Sequence, residues 1–169
     1  IPVVVVPIPF TAKVAPTIAT KMYCKYDKFP SSGINILVNV FGKNNTKIYQ
    51  MQYSFENGTI ADSVLFTPEP LGTIAIDSKF PLEHYQLMVD KNKTQTERQI
   101  YEKQFKLDVK KHIDAISSKY IIPGVTSNQA IMFLPAEAIF AEINAYHSDL
   151  VQYAYKKNVW ITSPTTLIS

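Results

Sequence analysis

Two aspartates and a lysine are the residues of this chain best suited to chemistry. Asp77-Ser78-Lys79 follows the apolar run Ile74-Ala75-Ile76, and Asp62 lies in an earlier β-rich run one loop away. On a strand over Thr73–Lys79, positions 77 and 79 project to one face, because side chains alternate along a strand. A carboxylate and an ammonium then point together from the rim of a core. Charged groups there cost desolvation unless they find a partner or a metal. Two aspartates with a backbone carbonyl and water suit a hard divalent cation such as Mg²⁺. A lysine beside that cation can orient or help deprotonate an attacking water while the metal stabilises phosphorane charge. The plain alternative is an Asp–Lys ion pair at a strand end.

The elements that must position these residues follow from periodicity. Ile34, Ile36, Val38 and Val40 alternate with Asn35, Leu37 and Asn39, which predicts a strand from Gly33. A second strand is expected over Ile48–Phe55. Asn57-Gly58 is a strong hairpin signal, and Ile60–Phe66 is the returning strand. A fourth strand follows over Thr73–Lys79, completing an antiparallel meander. Pro81 suits the first turn of a short helix over Leu82–Met88. A long helix is expected from about Thr96 to Lys119. Its apolar stripe is Phe105, Val109, Ile113, Ile116 and Tyr120, spaced three or four apart. Ala130–Leu134 reads as a buried strand, and Pro135 opens a helix to about Tyr146. Ser148 is a suitable cap for a further helix to Lys156. Val159–Thr162 is a last strand, after which Thr165-Thr166-Leu167 begins another helix. The class is therefore α/β, a mixed β-sheet with flanking helices, the long helix serving as the crossover between parallel strands.

Composition limits the alternatives. The chain has 169 residues, 46% hydrophobic and 18% charged, which is globular and long enough for one domain. A single cysteine, Cys24, excludes an internal disulfide framework and a cysteine-based zinc site, and a reducing, cytoplasmic setting is the simplest expectation. Residues 1–32 read as a separate arm: four of the eleven prolines fall in the first sixteen residues, with a short strand conceivable at Val3–Val6. Residues 33–169 form the domain. The net charge of +3 comes almost entirely from lysine, with Arg98 the sole arginine. Lys103, Lys106 and Lys110 fall on one face of the long helix and are candidates for phosphate contacts, which give salt-dependent, sequence-independent affinity. The plain reading of that face is a solvated surface. His84, His112 and His147 share no metal-binding spacing, and His112 falls beside the buried stripe. Glu137 suits helix-start electrostatics, Glu142 the surface, and Trp160 core or edge packing.

Four blocks carry a resemblance: IAIDSKFPLEHYQ at 74–86, DVKKHIDAISSKYIIPG at 108–124, AIMFLPAEAIFAEI at 130–143 and VWITSPTTLIS at 159–169. From Tyr49 onward the chain resembles the RmuC family of DNA recombination proteins. The resemblance implies a restriction-endonuclease-like core with a PD-(D/E)xK type motif. It makes Asp62 the first acid, Asp77 the second and Lys79 the lysine. It further implies DNA as the partner and Mg²⁺-assisted phosphodiester hydrolysis as the reaction. Where the family pattern carries Arg-Pro or similar before the first acid, this chain has Ile60-Ala61. The early helix that often supplies another acid is not recognisable, and the sequence stops at the start of an expected helix. These features describe a truncated family member. They keep open a non-catalytic DNA-binding or structural factor, and a gene fragment without a stable fold.

Overall fold

The computed structural model describes residues 37–167; the arm at 1–32 and its conceivable strand lie outside them. Five strands form one mixed sheet in the order β1-β2-β3-β4-β5. They are β1 (Tyr49–Ser54), β2 (Ile60–Phe66), β3 (Thr73–Asp77), β4 (Ala130–Phe133) and β5 (Val159–Thr162). β1, β2 and β3 pair antiparallel, and β4 and β5 add in parallel. The turn between β1 and β2 closes where Gly58 takes φ 81°, a conformation open to glycine. Phe55 and Thr59 bond across its base at 2.8 Å.

After the helical residues 37–41, the described helices are α1 (Glu83–Val89), α2 (Gln95–Tyr120), α3 (Glu137–Tyr146), α4 (Ser148–Lys156) and α5 (Pro164–Leu167). α2 starts at a capping box in which Thr94 Oγ1 accepts the Glu97 N–H and Glu97 Oε2 accepts the Thr94 N–H. Ser148 is the first residue of α4 and not its cap; His147 occupies the cap position without a side-chain cap bond.

The sheet buries both faces, so its central strands read as continuous apolar runs. On one face Val64, Ala75, Ala130 and Met132 meet the whole α2 stripe of Phe105, Val109, Ile113, Ile116 and Tyr120, with Ile139, Ile143 and Leu150 from α3 and α4. On the other face Ile74, Ile76, Ile131 and Phe133 gather with Leu37 and Tyr49. The expected strand from Gly33 is corrected here: residues 37–41 are helical. The alternation of Val38 and Val40 fits a strand, but the burial follows helical spacing. Leu37 is 1% exposed and Phe41, four residues on, packs on the same cluster, while Val40 is 45% exposed.

α2 closes the larger core, and Ile113 is fully buried at its middle. Ile113→Ala leaves a cavity there and is expected to cost about 2–5 kcal/mol. Urea unfolding followed by far-UV circular dichroism reads the drop in midpoint; a change below 1 kcal/mol, on the order of a surface substitution, would place the residue outside the core.

Candidate functional site

The β2–β3 register builds the site. Ser63 pairs with Ile76 and Val64 with Ala75, so Asp62 stands across from Asp77. Both aspartates are 6% exposed. They lie on the α2 face of the sheet, in step with Val64 and Ala75. Two facing carboxylates in a core demand donors, since burial disfavours charge and like charges repel.

The strand end supplies the first donors. β3 stops at Asp77, so Lys79 lies two residues beyond the strand, not on it as alternation implies. Asp77 Oδ1 accepts the Lys79 backbone N–H at 3.1 Å, an Asx turn that bends the chain away from the sheet. The turn aims Ser78 at Asp62, whose Oδ2 accepts both the Ser78 N–H, at 2.9 Å, and the Ser78 hydroxyl, at 3.0 Å. The Lys79 side chain also goes to Asp62: Nζ stands 3.1 Å from Oδ1, with the lysine side chain 72% exposed. The expected pairing of lysine with Asp77 is thus a pairing with the aspartate of the neighbouring strand.

α2 supplies the rest. Tyr120 donates its hydroxyl to Asp77 Oδ2 at 3.1 Å and also approaches the Ile60 carbonyl at 3.3 Å. His112 Nε2 stands 3.3 Å from Asp77 Oδ1. It is buried and has no aligned hydrogen bond. Neither residue stood out in the sequence as part of a site. Tyr120 belongs to the apolar stripe, and His112 sits one position away from Ile113.

The electrostatics follow from these contacts. Burial raises the Asp77 pKa, but His112, the Lys79 N–H and the Tyr120 hydroxyl together bring it below the ordinary carboxylate value. The hydrogen bond and charge of Asp62 hold the Lys79 ammonium above its usual value. Burial and the Asp77 charge push the Tyr120 hydroxyl up as well. At neutral pH the site therefore holds an ionised Asp77, a protonated lysine and a protonated tyrosine. Lys79 is a hydrogen-bond donor and a positive charge while it stays on Asp62, not a base.

The other singled-out residues are placed elsewhere. Lys106 and Lys110 reach Asp149 of α4, at 3.2 and 3.6 Å. Lys103 is exposed, with no ion pair among the described residues. His84 pairs with Asp108. His147 is buried, 3.9 Å from both Glu102 and Glu142, so Glu142 faces a buried histidine and is not a plain surface residue. Glu137 accepts the Thr165 N–H at 2.7 Å, tying α3 to α5. Trp160 is 43% exposed on β5, at the sheet edge.

A hard cation suits the donor types of the site. Mg²⁺ is commonly held by one or two carboxylates with water completing its shell, and Asp62 and Asp77 offer two. Among the described residues no three His, Cys, Asp or Glu side chains gather into a metal-holding group. No described helix is long and apolar enough to cross a membrane.

Asp77 makes the site sensitive to acid. Its folded pKa lies below the unfolded value, so its contribution to stability is present above the unfolded value, near pH 4, and is lost as pH falls through the folded one. The unaltered chain is expected to lose melting temperature below about pH 4, and Asp77→Asn to flatten that limb. Melting temperatures over a pH series read this; parallel limbs in the two proteins would contradict the assigned direction.

A sequence model of the RmuC family matches residues 34–169. A protein of Xylella fastidiosa strain Temecula1 named DNA recombination protein RmuC homolog is 31% identical over 98 residues, 56% of this chain and 21% of the relative. One of the same name from Zymomonas mobilis is 32% identical over 103 residues, 59% of this chain and 23% of the relative. The chain thus matches about a fifth of the length of these curated relatives. No solved structure matches it.

Proposed function

The chain belongs to the RmuC family, and we propose that this domain acts on DNA in recombination, as a metal-dependent phosphodiesterase centred on Asp62, Asp77 and Lys79. The observation that carries the reading is the register: two buried aspartates opposed on adjacent antiparallel strands, with a lysine ammonium 3.1 Å from one of them. An acid on one strand and an Asp-x-Lys at the end of the next is the order that a PD-(D/E)xK type motif requires. The names of the curated relatives support DNA as the partner.

Asp62 and Asp77 would hold Mg²⁺, which when bound supplies Lewis-acid stabilisation of charge on the scissile phosphate. The other tasks fall to the chain itself. Ser78 and Tyr120 fix the two carboxylates through hydrogen bonds to their Oδ2 atoms, leaving the Oδ1 atoms on the side of Lys79 and His112. Lys79, protonated and on an exposed stem, donates to the attacking water or to a phosphate oxygen. Moving to that position frees Asp62 Oδ1.

A second reading is a DNA-binding factor without hydrolysis. It is favoured by the protein donors already on both carboxylates and by the lack of a third metal-holding side chain among the described residues.

Cleavage of a labelled duplex with Mg²⁺ separates the two. The first reading expects cleavage by the unaltered chain and a loss of about 100-fold or more in Asp77→Asn and Lys79→Ala, with DNA binding and cooperative unfolding retained. Cleavage that persists in Asp77→Asn removes these residues from the chemistry. DNA binding without cleavage by the unaltered chain selects the second reading.

A further inference from the structure

We propose that the DNA backbone runs along the C-terminal third of α2, past Lys111 and Lys119, and not along the face of Lys103, Lys106 and Lys110. The inference rests on the reading of Asp62 and Asp77 as a DNA-directed site and names the surface that presents DNA to it.

α2 has two polar flanks, one on each side of its buried stripe. His112 marks the flank that faces the aspartates, because its Nε2 touches Asp77. At 3.6 residues per turn, Lys119 lies within roughly 20° of His112 around the helix, two turns further on. Lys106 and Lys110 lie roughly 120–160° away from His112. The sites of opposite charge on the two flanks differ accordingly.

On the far flank Lys103 is exposed without an ion pair among the described residues, but its two neighbours are already neutralised within the protein. Lys106 and Lys110 share Asp149. Further along, Asp114 takes Lys157 at 2.8 Å and the Tyr153 hydroxyl at 2.9 Å, and the Ser117 hydroxyl donates to the Lys157 carbonyl. These bonds are the seam between α2 and the α4–β5 segment. A phosphate there would have to displace Asp149 from two lysines at once, and the shared carboxylate repels it.

The near flank divides in two. Its N-terminal part is covered by α1, where His84 pairs with Asp108 and stacks on Tyr101. The rest runs from Asp108 to the end of the helix. Lys111, Ser118 and Lys119 are exposed, and neither lysine has an ion pair among the described residues. His112, next to Lys119 around the helix, and Tyr120, of the buried stripe, both touch Asp77. Lys79 is exposed at the mouth of the same site. Lys119 on the flank that reaches the aspartates, with Lys111 roughly 100° round from His112 on the solvent side, suits a polyanion that crosses the exposed face of the helix and whose scissile phosphate must arrive at Asp77. Lys119 also sits in the last turn of α2, where a cation steadies the helix dipole, so the test needs a readout that stability does not move.

That readout is the salt dependence of DNA binding. Fluorescence anisotropy with a labelled duplex, in EDTA, gives Kd for the 169-residue chain across a salt series. Each phosphate contact contributes about 0.9 to the slope of log K against log salt. The double variant Lys111→Ala/Lys119→Ala is expected to weaken binding and reduce the slope by about 2. Lys106→Ala/Lys110→Ala is expected to leave the slope unchanged, even where melting temperature falls. An unchanged slope in the Lys111/Lys119 variant overturns the proposal. If the Lys106/Lys110 variant then loses the slope, DNA lies on the other flank and the functional reading stands. If the unaltered chain does not bind the duplex at low salt, the functional reading fails and this surface with it.

Discussion

The structure turns on two carboxylates that face each other across neighbouring strands. Asp62 and Asp77 are set opposite by the β2–β3 register, both on the face that α2 covers. Both are largely withdrawn from solvent there, so each needs donors from the protein. The Asx turn at Asp77 ends β3 and delivers Ser78 and Lys79 to Asp62. The last turn of α2 delivers Tyr120 to Asp77, two turns after His112 reaches the same carboxylate. A slip of one residue between β2 and β3 would send one aspartate to the opposite face, into the cluster of Ile74, Ile76 and Phe133. Register, strand ending and helix placement are therefore one constraint.

The same arrangement explains why α2 is long and why it carries two kinds of residue. Its buried stripe seals the larger core from Phe105 to Tyr120. One flank is bonded to α4 through Asp149 and Asp114, the other reaches the aspartates. A rigid helix tied down on one side is a firm mount for groups that must touch Asp77 on the other. Sites held by regular elements and supported by bonds of their own are better ordered than sites on loops.

Much of this was legible in the sequence. The β1–β2 hairpin follows from Asn57-Gly58, and the α2 stripe from spacing alone, because both signals are local. Asp62 and Asp77 were legible as a pair, since hairpin topology brings consecutive strands together. The strand expected from Gly33 failed where Leu37 and Phe41 bury at helical spacing against the far face of the sheet, a demand that comes from tertiary packing. The lysine pairing failed because an Asx turn, not alternation, directs Lys79. Tyr120 and His112 were hidden by the stripe: a tyrosine at a core position does not announce where its hydroxyl goes. The commitment of Lys106 and Lys110 to Asp149 spans some forty residues of sequence and has no local sign.

The account stands on Asp62 and Asp77 forming one divalent-cation site. Calorimetric titration of the chain with Mn²⁺, beside Asp62→Asn and Asp77→Asn, tests that directly. The account predicts saturable binding by the unaltered chain and its loss in both variants, with cooperative unfolding retained. Absence of saturable binding by the unaltered chain, or binding that survives both substitutions, would contradict it.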